Sequence, residues 1–197
     1  MNSCEKILNI AQNNNGYITT NMVEENNIAR RYLYILTNKN KLEKVERGIY
    51  SLPNVLKDMY FCLQKKSKYV VFSHMTALFF YNLSDRMPHL IDLTVTDTYR
   101  GTLQNEENIN LFRVKKENIN LGITQVESPL GNKIKIYNLE RSICDIVRNK
   151  DKMELELFNK AIRGYFNNKN KDMVKLMDYA KKLNIEKEVV KAFEVLT

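Results

Sequence analysis

The chain has 197 residues, a net charge of +8 and a hydrophobic fraction of 44%, enough for one ordinary domain or for a small domain joined to a medium one. Its six glycines, three prolines and 27% charged residues argue against disordered, collagen-like and mucin-like chains. The longest apolar runs, such as Ala77–Tyr81, are far shorter than the roughly 20 residues of a membrane-spanning helix. Because the start shows no basic and then apolar leader, we expect a cytoplasmic protein.

Cysteine and histidine are too few and too scattered to indicate a metal site or a disulfide framework. Cys4, Cys62 and Cys144 never form a Cys-x-x-Cys pair, and His74 and His89 lack the spacing of metal ligands. The sequence also has no glycine-rich phosphate loop. We therefore expect neither a metal nor a cofactor.

The first 53 residues have the order of a winged helix-turn-helix, which is three helices and then a β-hairpin. Apolar residues at helical spacing predict a first helix at 4–11, and a short extended piece at 17–18 precedes the second helix. Strands at 42–45 and 49–52 are predicted to pair through a turn at 46–48. The candidate N-caps of the second helix are Thr19, Thr20 and Asn21.

The third helix is predicted to begin after an N-cap at Asn27 and to bury Ala29, Leu33 and Leu36. Its outward side is cationic, because residues 28–47 carry six basic and two acidic side chains. Arginine forks, hydroxyls and amides are the groups that contact base edges and phosphates. We therefore predict that residues 1–53 bind DNA. The predicted contacts are Thr19, Thr20, Arg30, Arg31, Tyr34, Thr37, Asn38 and Lys41, together with Lys44 and Arg47 on the hairpin.

Residues 54–197 are predicted to form a mixed α/β domain with a helical C-terminal tail, so the chain belongs to the α+β class. A connecting helix is predicted at 54–66, with Leu56 and Met59 on its buried face. The predicted strands are 69–72, 90–96, 109–114, 123–126 and 133–137. The predicted helices are 73–82, after which a loop covers 83–89, and then 139–148, 152–167, 171–184 and 186–196.

The second part offers no convincing catalytic set. Ser73 and His74 are adjacent at a helix start, where a nucleophile and its base do not face each other, so His74 is interpreted as a capping or core-edge residue. Glu140, Arg141 and Asp145 begin a helix, and structural ion pairing is the favoured interpretation.

Charged side chains on the predicted strands allow two further interpretations. A nuclease could use Asp92 and Asp97 with Lys133 or Lys135, but it would need a Glu-x-Lys tripeptide on a strand, and no predicted strand has one. The second interpretation is a cationic surface for a partner, since residues 54–197 carry 24 basic and 18 acidic side chains, and an ordinary solvated face is the competing interpretation of each lysine. The candidates for that surface are Arg113, Lys115, Lys116, Lys133 and Lys135.

Taken together, several segments resemble the AbiEi family of antitoxins, the transcriptional-regulator half of bacterial abortive-infection toxin–antitoxin pairs. The combination of Ser-His-x-Thr-Ala-Leu with Glu-Arg-Ser-x-x-Asp is more specific than the winged-helix pattern alone. The segments that carry the resemblance are Gly16–Thr20, Asn27–Leu33 and Arg47–Pro53, and then Phe72–Leu78, Leu83–Asp85 and Tyr137–Asp145.

The resemblance implies a type IV system for phage defence. The chain would bind inverted repeats in its own promoter, repress the operon and counteract a nucleotidyltransferase-like toxin, with direct contact left open, and it would not be an enzyme. The antitoxin-domain candidates are Ser73, His74, Arg113, Lys115, Lys116, Lys133, Lys135, Glu140, Arg141 and Asp145. Two alternatives stay open: a stand-alone ligand-sensing repressor with a pocket within residues 69–150, and a DNA-modifying enzyme with an acidic metal cluster.

Overall fold

A computed structural model of the chain describes residues 2–67, 69–84 and 88–194. The chain divides into two compact units, of which the first is Met1–Lys68 with Glu127–Ile134 and the second is Tyr69–Val126 with Lys135–Thr197. Helices and a small antiparallel sheet occupy the N-terminal part, and a mixed sheet and further helices follow. The α+β class is therefore confirmed. The predicted division of function at residue 53 stays a prediction.

The first unit has the helices and the hairpin of a winged helix-turn-helix. Its three strands form an antiparallel sheet in which β3 lies between β1 and β2. Ile7, Ile18, Leu33 and Leu36 are buried in one core between the helices and the sheet. The helices are α1 (Ser3–Gln12), α2 (Thr20–Glu25), α3 (Arg31–Asn38) and α4 (Met59–Lys66), and the strands are β1 (Tyr17–Thr19), β2 (Glu43–Glu46) and β3 (Ile49–Ser51).

The start of α3 differs from the prediction because Asn27 ends α2. Asn27 has a left-handed backbone with a φ of 55°, and the N–H of Ile28 donates to the Val23 carbonyl at 2.9 Å. This bond closes the end of a helix, where asparagine can replace glycine. Asn27 is therefore not the N-cap of α3, which begins at Arg31. As a result Ala29, predicted to be buried, is exposed, and Ile28 is buried instead.

The connecting helix begins later than predicted because Asp58 caps it. The Asp58 carboxylate accepts a hydrogen bond from the Phe61 N–H at 3.1 Å, and α4 starts at Met59. Residues 54–58 are therefore irregular. The predicted burial of Leu56 and Met59 is wrong, since these side chains are 73% and 39% exposed.

Asp58 also holds the segment 127–134 in the first unit. Its Oδ2 accepts hydrogen bonds from Ser128 Oγ at 2.5 Å and from Asn132 Nδ2 at 2.7 Å. All three side chains are buried. In addition, Asn15 Nδ2 donates to the carbonyl of Gly131 at 2.7 Å. We call this group, Asp58 with Ser128 and Asn132, the clasp.

The second unit is built on a five-stranded mixed sheet with the order β6-β5-β4-β8-β7. Strand β5 is antiparallel to β4 and parallel to β6, and β4 is parallel to β8. The strands are β4 (Val71–Phe72), β5 (Ile91–Thr96), β6 (Ile109–Val114), β7 (Ile123–Glu127) and β8 (Lys133–Tyr137), and the helices are α5 (His74–Phe80), α6 (Leu139–Arg148), α7 (Leu155–Phe166), α8 (Met173–Lys182) and α9 (Glu186–Glu194). Parts of two predictions, residues 85–87 of the 83–89 loop and residues 195–196 of the last helix, lie outside the described residues.

The helical tail packs on α6. Ile143 and Val147 of α6 are buried together with Ile162, Tyr165 and Leu176 from α7 and α8. The predicted helical tail is thus confirmed in the second unit. Within residues 2–67, 69–84 and 88–194, no helix combines the length and apolarity needed to cross a membrane.

Candidate functional site

Helix α3 presents a polar and aromatic face to solvent. Arg31, Tyr34 and Asn38 follow the i, i+3, i+7 spacing of one helix face, all three are exposed, and Tyr34 is 69% exposed. The Arg31 guanidinium lies 5.1 Å from the Tyr32 ring centroid and donates a hydrogen bond of 3.3 Å to the Tyr32 hydroxyl. This face carries an arginine fork, a phenol and an amide, which are groups that bind phosphates and base edges.

Three other predicted DNA contacts already have partners inside the protein. Thr19 is buried and its hydroxyl accepts the Met22 N–H at 3.2 Å, so this threonine is the N-cap of α2. The Thr37 hydroxyl donates to the Leu33 carbonyl at 2.8 Å. Arg30 pairs with Glu24 at 2.5 Å between Nε and Oε1, but both side chains are largely exposed. Exposed ion pairs are weak, so the Arg30 guanidinium is only loosely held by Glu24.

The wing is the hairpin β2–β3, and its tip is fixed on the start of α2. Gly48 has a φ of 75° and its carbonyl accepts the Thr20 N–H at 3.0 Å. A Cβ at Gly48 would lie 3.0 Å from Thr20 Oγ1, so glycine satisfies both the positive φ and the close approach. Thr20 thus positions the wing.

The wing carries two basic and two acidic side chains, Lys44 and Arg47 with Glu43 and Glu46, and Lys41 precedes it. Lys41, Lys44 and Arg47 are exposed, and the described part of the chain provides no ion-pair partner for them. Glu46 is neutralised, because Lys57 and Lys66 lie 2.9 Å and 3.2 Å from its carboxylate. The exposed cations Lys41, Lys44 and Arg47 are suited to an anionic partner such as a phosphate backbone.

In the second unit, the Glu-Arg-Ser-x-x-Asp motif is buried. Arg141 is fully buried and its Nε donates to Asp145 Oδ1 at 3.0 Å. Its Nη1 donates to the carbonyls of Asn118 and Leu121 at 2.8 Å and 2.9 Å. The guanidinium also lies 4.1 Å from the Tyr137 ring centroid. Arg141 therefore ties α6 to the segment before β7.

The Glu140 carboxylate is likewise bound to groups inside the protein. Its Oε1 accepts the Asp172 N–H at 3.2 Å, and its Oε2 lies 3.9 Å from Lys175 Nζ on α8. The predicted ion pairing is therefore present: of the two predicted partners of Glu140, Arg141 or a neighbouring helix, the structure has the helix, through Lys175. Because Glu140, Arg141 and Asp145 are all buried, the structure gives them an internal packing role.

Ser73 and His74 do face each other, contrary to the prediction. His74 Nδ1 lies 3.0 Å from Ser73 Oγ, which also accepts a 2.8 Å bond from the Thr94 hydroxyl. The reason is the left-handed backbone of His74, whose φ is 46°. His74 Nε2 lies 3.1 Å from Asn149 Nδ2. Burial, assisted by the charges of Arg141 and Lys152, lowers the pKa of His74 to about 3, so the imidazole is neutral.

The predicted cations of the second part are exposed but fall on different strands. Arg113 is on β6, and Lys133 and Lys135 are on β8, with β5 and β4 between these strands in the sheet. Lys115 and Lys116 follow β6, and all five side chains are exposed. The sheet order thus separates the predicted surface into two groups.

A cavity of about 290 Å³ opens in the second unit beside α5, β5 and β6. His74, Asp92 and Asn110 line it, and Ile146, Asn149 and Leu157 are among the residues on its other side. Within the described ranges, no group of three or more histidine, cysteine, aspartate or glutamate side chains could hold a metal ion.

Comparison with known proteins finds a family match within the first unit. Residues 5–53 match the sequence family described as "Transcriptional regulator, AbiEi antitoxin". This part of the chain is an AbiEi antitoxin domain. The chain is also similar to the crystal structure of the RV2827C protein from Mycobacterium tuberculosis, with 11% identity, a TM-score of 0.47 and coverage of 98% of this chain and 80% of that chain. No curated protein matches the chain.

The AbiEi domain contains both α3 and the wing, whereas Asp58 and its partners lie after it. Sequence reasoning did not single out Asp58, although an aspartate just before an apolar helical pattern is an N-cap signal. Its partners Ser128 and Asn132 have no local signal, because they are about 70 residues away in the chain. The role of Asn110 beside Asp92 was also missed, since it depends on the pairing of β5 with β6.

Proposed function

We propose that the chain is the antitoxin of a type IV abortive-infection system. In this proposal it acts in the bacterial cytoplasm, binds inverted repeats in its own promoter, represses the operon and counteracts a nucleotidyltransferase-like toxin. It has no enzymatic role. The observation that supports the proposal most strongly is that the AbiEi match at residues 5–53 includes the exposed face of α3 and the exposed basic side chains of the wing.

DNA binding is assigned to residues 1–53, with α3 in the major groove. Arg31, Tyr34 and Asn38 contact bases or phosphates, and Arg30 leaves Glu24 to contact a phosphate. Lys44 and Arg47 of the wing contact the flanking backbone or the minor groove.

The test of DNA binding is the double variant Arg30→Ala/Arg31→Ala on a promoter fragment in a mobility-shift assay. Each such contact is worth about 1–3 kcal/mol, so the affinity is expected to fall at least tenfold. Lys187→Ala, which removes an exposed cation from α9, is the matched control and should bind like the wild type. A folded double variant with wild-type affinity would contradict the assignment.

Antitoxicity is assigned to the second part of the chain and is independent of repression. The same double variant separates the two functions without cutting the chain, which matters because residues 54–68 and 127–134 cluster with the first unit. When the toxin from the neighbouring reading frame is expressed from an unrelated promoter, we expect full survival with the variant. Killing at the level of toxin alone would show that DNA binding is needed for neutralisation.

The cavity in the second unit favours a second candidate function, a stand-alone ligand-sensing repressor. Such a regulator needs a ligand pocket outside its DNA-binding domain, and the cavity meets this requirement. The neighbouring gene discriminates the two functions, since only the antitoxin requires a nucleotidyltransferase-like partner there.

A further inference from the structure

The cavity of the second unit combines an apolar wall with one buried carboxylate. Met75, Ile146, Met153 and Leu157 supply apolar surface, and Asp92 supplies the carboxylate. With about 30 Å³ for each atom of the size of water, 290 Å³ accommodates on the order of ten non-hydrogen atoms. This is the size of a small aromatic or aliphatic molecule.

Asp92 is only 5% exposed and pairs with no cation among the described residues. Its Oδ2 accepts the N–H of Met75 at 2.9 Å, and its Oδ1 accepts Asn110 Nδ2 at 3.1 Å. The backbone N–H of Thr76 also favours the ionised carboxylate, and a carboxylate with about four acceptor sites still has capacity for a further donor. A buried carboxylate with this unused capacity is unfavourable for stability unless a positive ligand compensates it.

His74 shapes the cavity without competing for the carboxylate. Its ring stacks on Phe112 with the centroids 3.4 Å apart, and both of its nitrogens lie within 3.1 Å of a protein partner, Ser73 or Asn149. Its left-handed backbone is a strained conformation for a residue other than glycine, and such strain concentrates at ligand sites. The imidazole thus gives a flat neutral wall, and the other ionisable side chains that line the cavity besides Asp92 are Lys152, Glu154 and His89.

We propose that this cavity binds a small organic cation with a flat or apolar body, of the amidine, guanidine or amine class. Its N–H groups donate to the two oxygens of Asp92, and its body packs against Met75, Ile146 and Leu157. Planar amidinium and guanidinium groups match a carboxylate with two parallel hydrogen bonds. The proposal concerns the second unit alone and does not depend on promoter binding.

The test uses the full-length protein with two probes of nearly the same shape, cationic benzamidine and neutral benzamide, in isothermal titration calorimetry. We expect saturable binding of one benzamidine per chain and at least tenfold weaker binding of benzamide. Asp92→Asn should weaken benzamidine at least tenfold. Glu154→Gln, which removes the other acidic charge of the lining, should change its affinity less than threefold.

Absence of saturable benzamidine binding would overturn the proposal, and so would equal affinities for the two probes. Unchanged benzamidine affinity in a folded Asp92→Asn variant, or a larger loss in Glu154→Gln, would also overturn it. If Asp92→Asn does not fold, the comparison of the two probes on the wild-type protein decides the question.

Discussion

Replacing Asp92 by asparagine is expected to stabilise the protein at neutral pH, although the residue lies in the core. Burial raises the pKa of the Asp92 carboxyl from its ordinary value of 3.8 to about 6, against the opposing hydrogen bonds from Met75, Asn110 and Thr76. At 1.36 kcal/mol for each pH unit, this difference costs the folded state about 3 kcal/mol once the carboxyl is ionised. Asparagine at position 92 removes the charge, and its Oδ1 can still accept the Met75 N–H. The Asn110 side-chain amide can flip so that its oxygen accepts from the new Nδ2.

The sign of the pH dependence follows from proton binding. The folded state holds the Asp92 proton more tightly than the unfolded state, so the contribution of this group is most favourable below pH 3.8 and is lost as pH rises through 6. Asparagine has no such titration. The stability advantage of the variant should therefore be small near pH 4 and reach about 1–3 kcal/mol at pH 7.5, or several degrees in melting temperature.

Urea denaturation of wild type and Asp92→Asn at pH 4 and pH 7.5 measures this difference. Contributions of other groups, including the neutral His74, are common to both proteins and cancel. A variant less stable than the wild type at pH 7.5, or a difference that does not change with pH, would refute the reasoning.

Two further substitutions test the first unit. Arg47→Ala should lower affinity on all DNA sequences and reduce the slope of log affinity against log salt by about one, because one phosphate contact is lost; a wild-type slope in a salt titration would exclude the wing contact. Asp58→Ala should destabilise the protein by about 3 kcal/mol in urea denaturation, since it removes an N-cap and leaves the buried donors of Ser128 and Asn132 unpaired. The exposed neighbour Glu127→Ala should stay within about 0.5 kcal/mol, and an equal effect of both changes would refute the clasp.

The sequence predicts the helices best where an amphipathic pattern is long. The predicted helix at 139–148 has the observed bounds of α6, because its apolar positions face α7 and α8. The predicted start of α3 was wrong because asparagine is common both as the N-cap of a helix and as the left-handed residue that ends one. The hydrogen bond from the Ile28 N–H to the Val23 carbonyl shows that Asn27 ends α2. The residues around Asn27 in the sequence do not distinguish this role from an N-cap.

The candidate sites also differ in how far the sequence predicts them. Exposed cations such as Arg31, Lys44 and Arg47 could be placed from the sequence, because a helix or hairpin pattern fixes which residues face outward. The cavity could not be predicted from the sequence, because Asp92 contacts Asn110 only through the parallel register of β5 and β6. Nor does any local pattern indicate the left-handed backbone that brings His74 against Ser73.

The clasp connects the unit that carries α3 and the wing to residues beyond the family match. The family match ends at Pro53, but the Tyr17 side chain of β1 reaches past that point, donating to the Leu56 carbonyl and accepting the Asp58 N–H, both at 2.8 Å. Asp58 in turn is the buried acceptor for Ser128 and Asn132. A chain cut after residue 53 would therefore leave the Tyr17 hydroxyl without either of these partners and would expose Tyr17 and Ile49, which pack with Phe61 and Cys62 in the intact chain. The turn between β7 and β8 thus contributes to the stability of the unit that carries α3 and the wing.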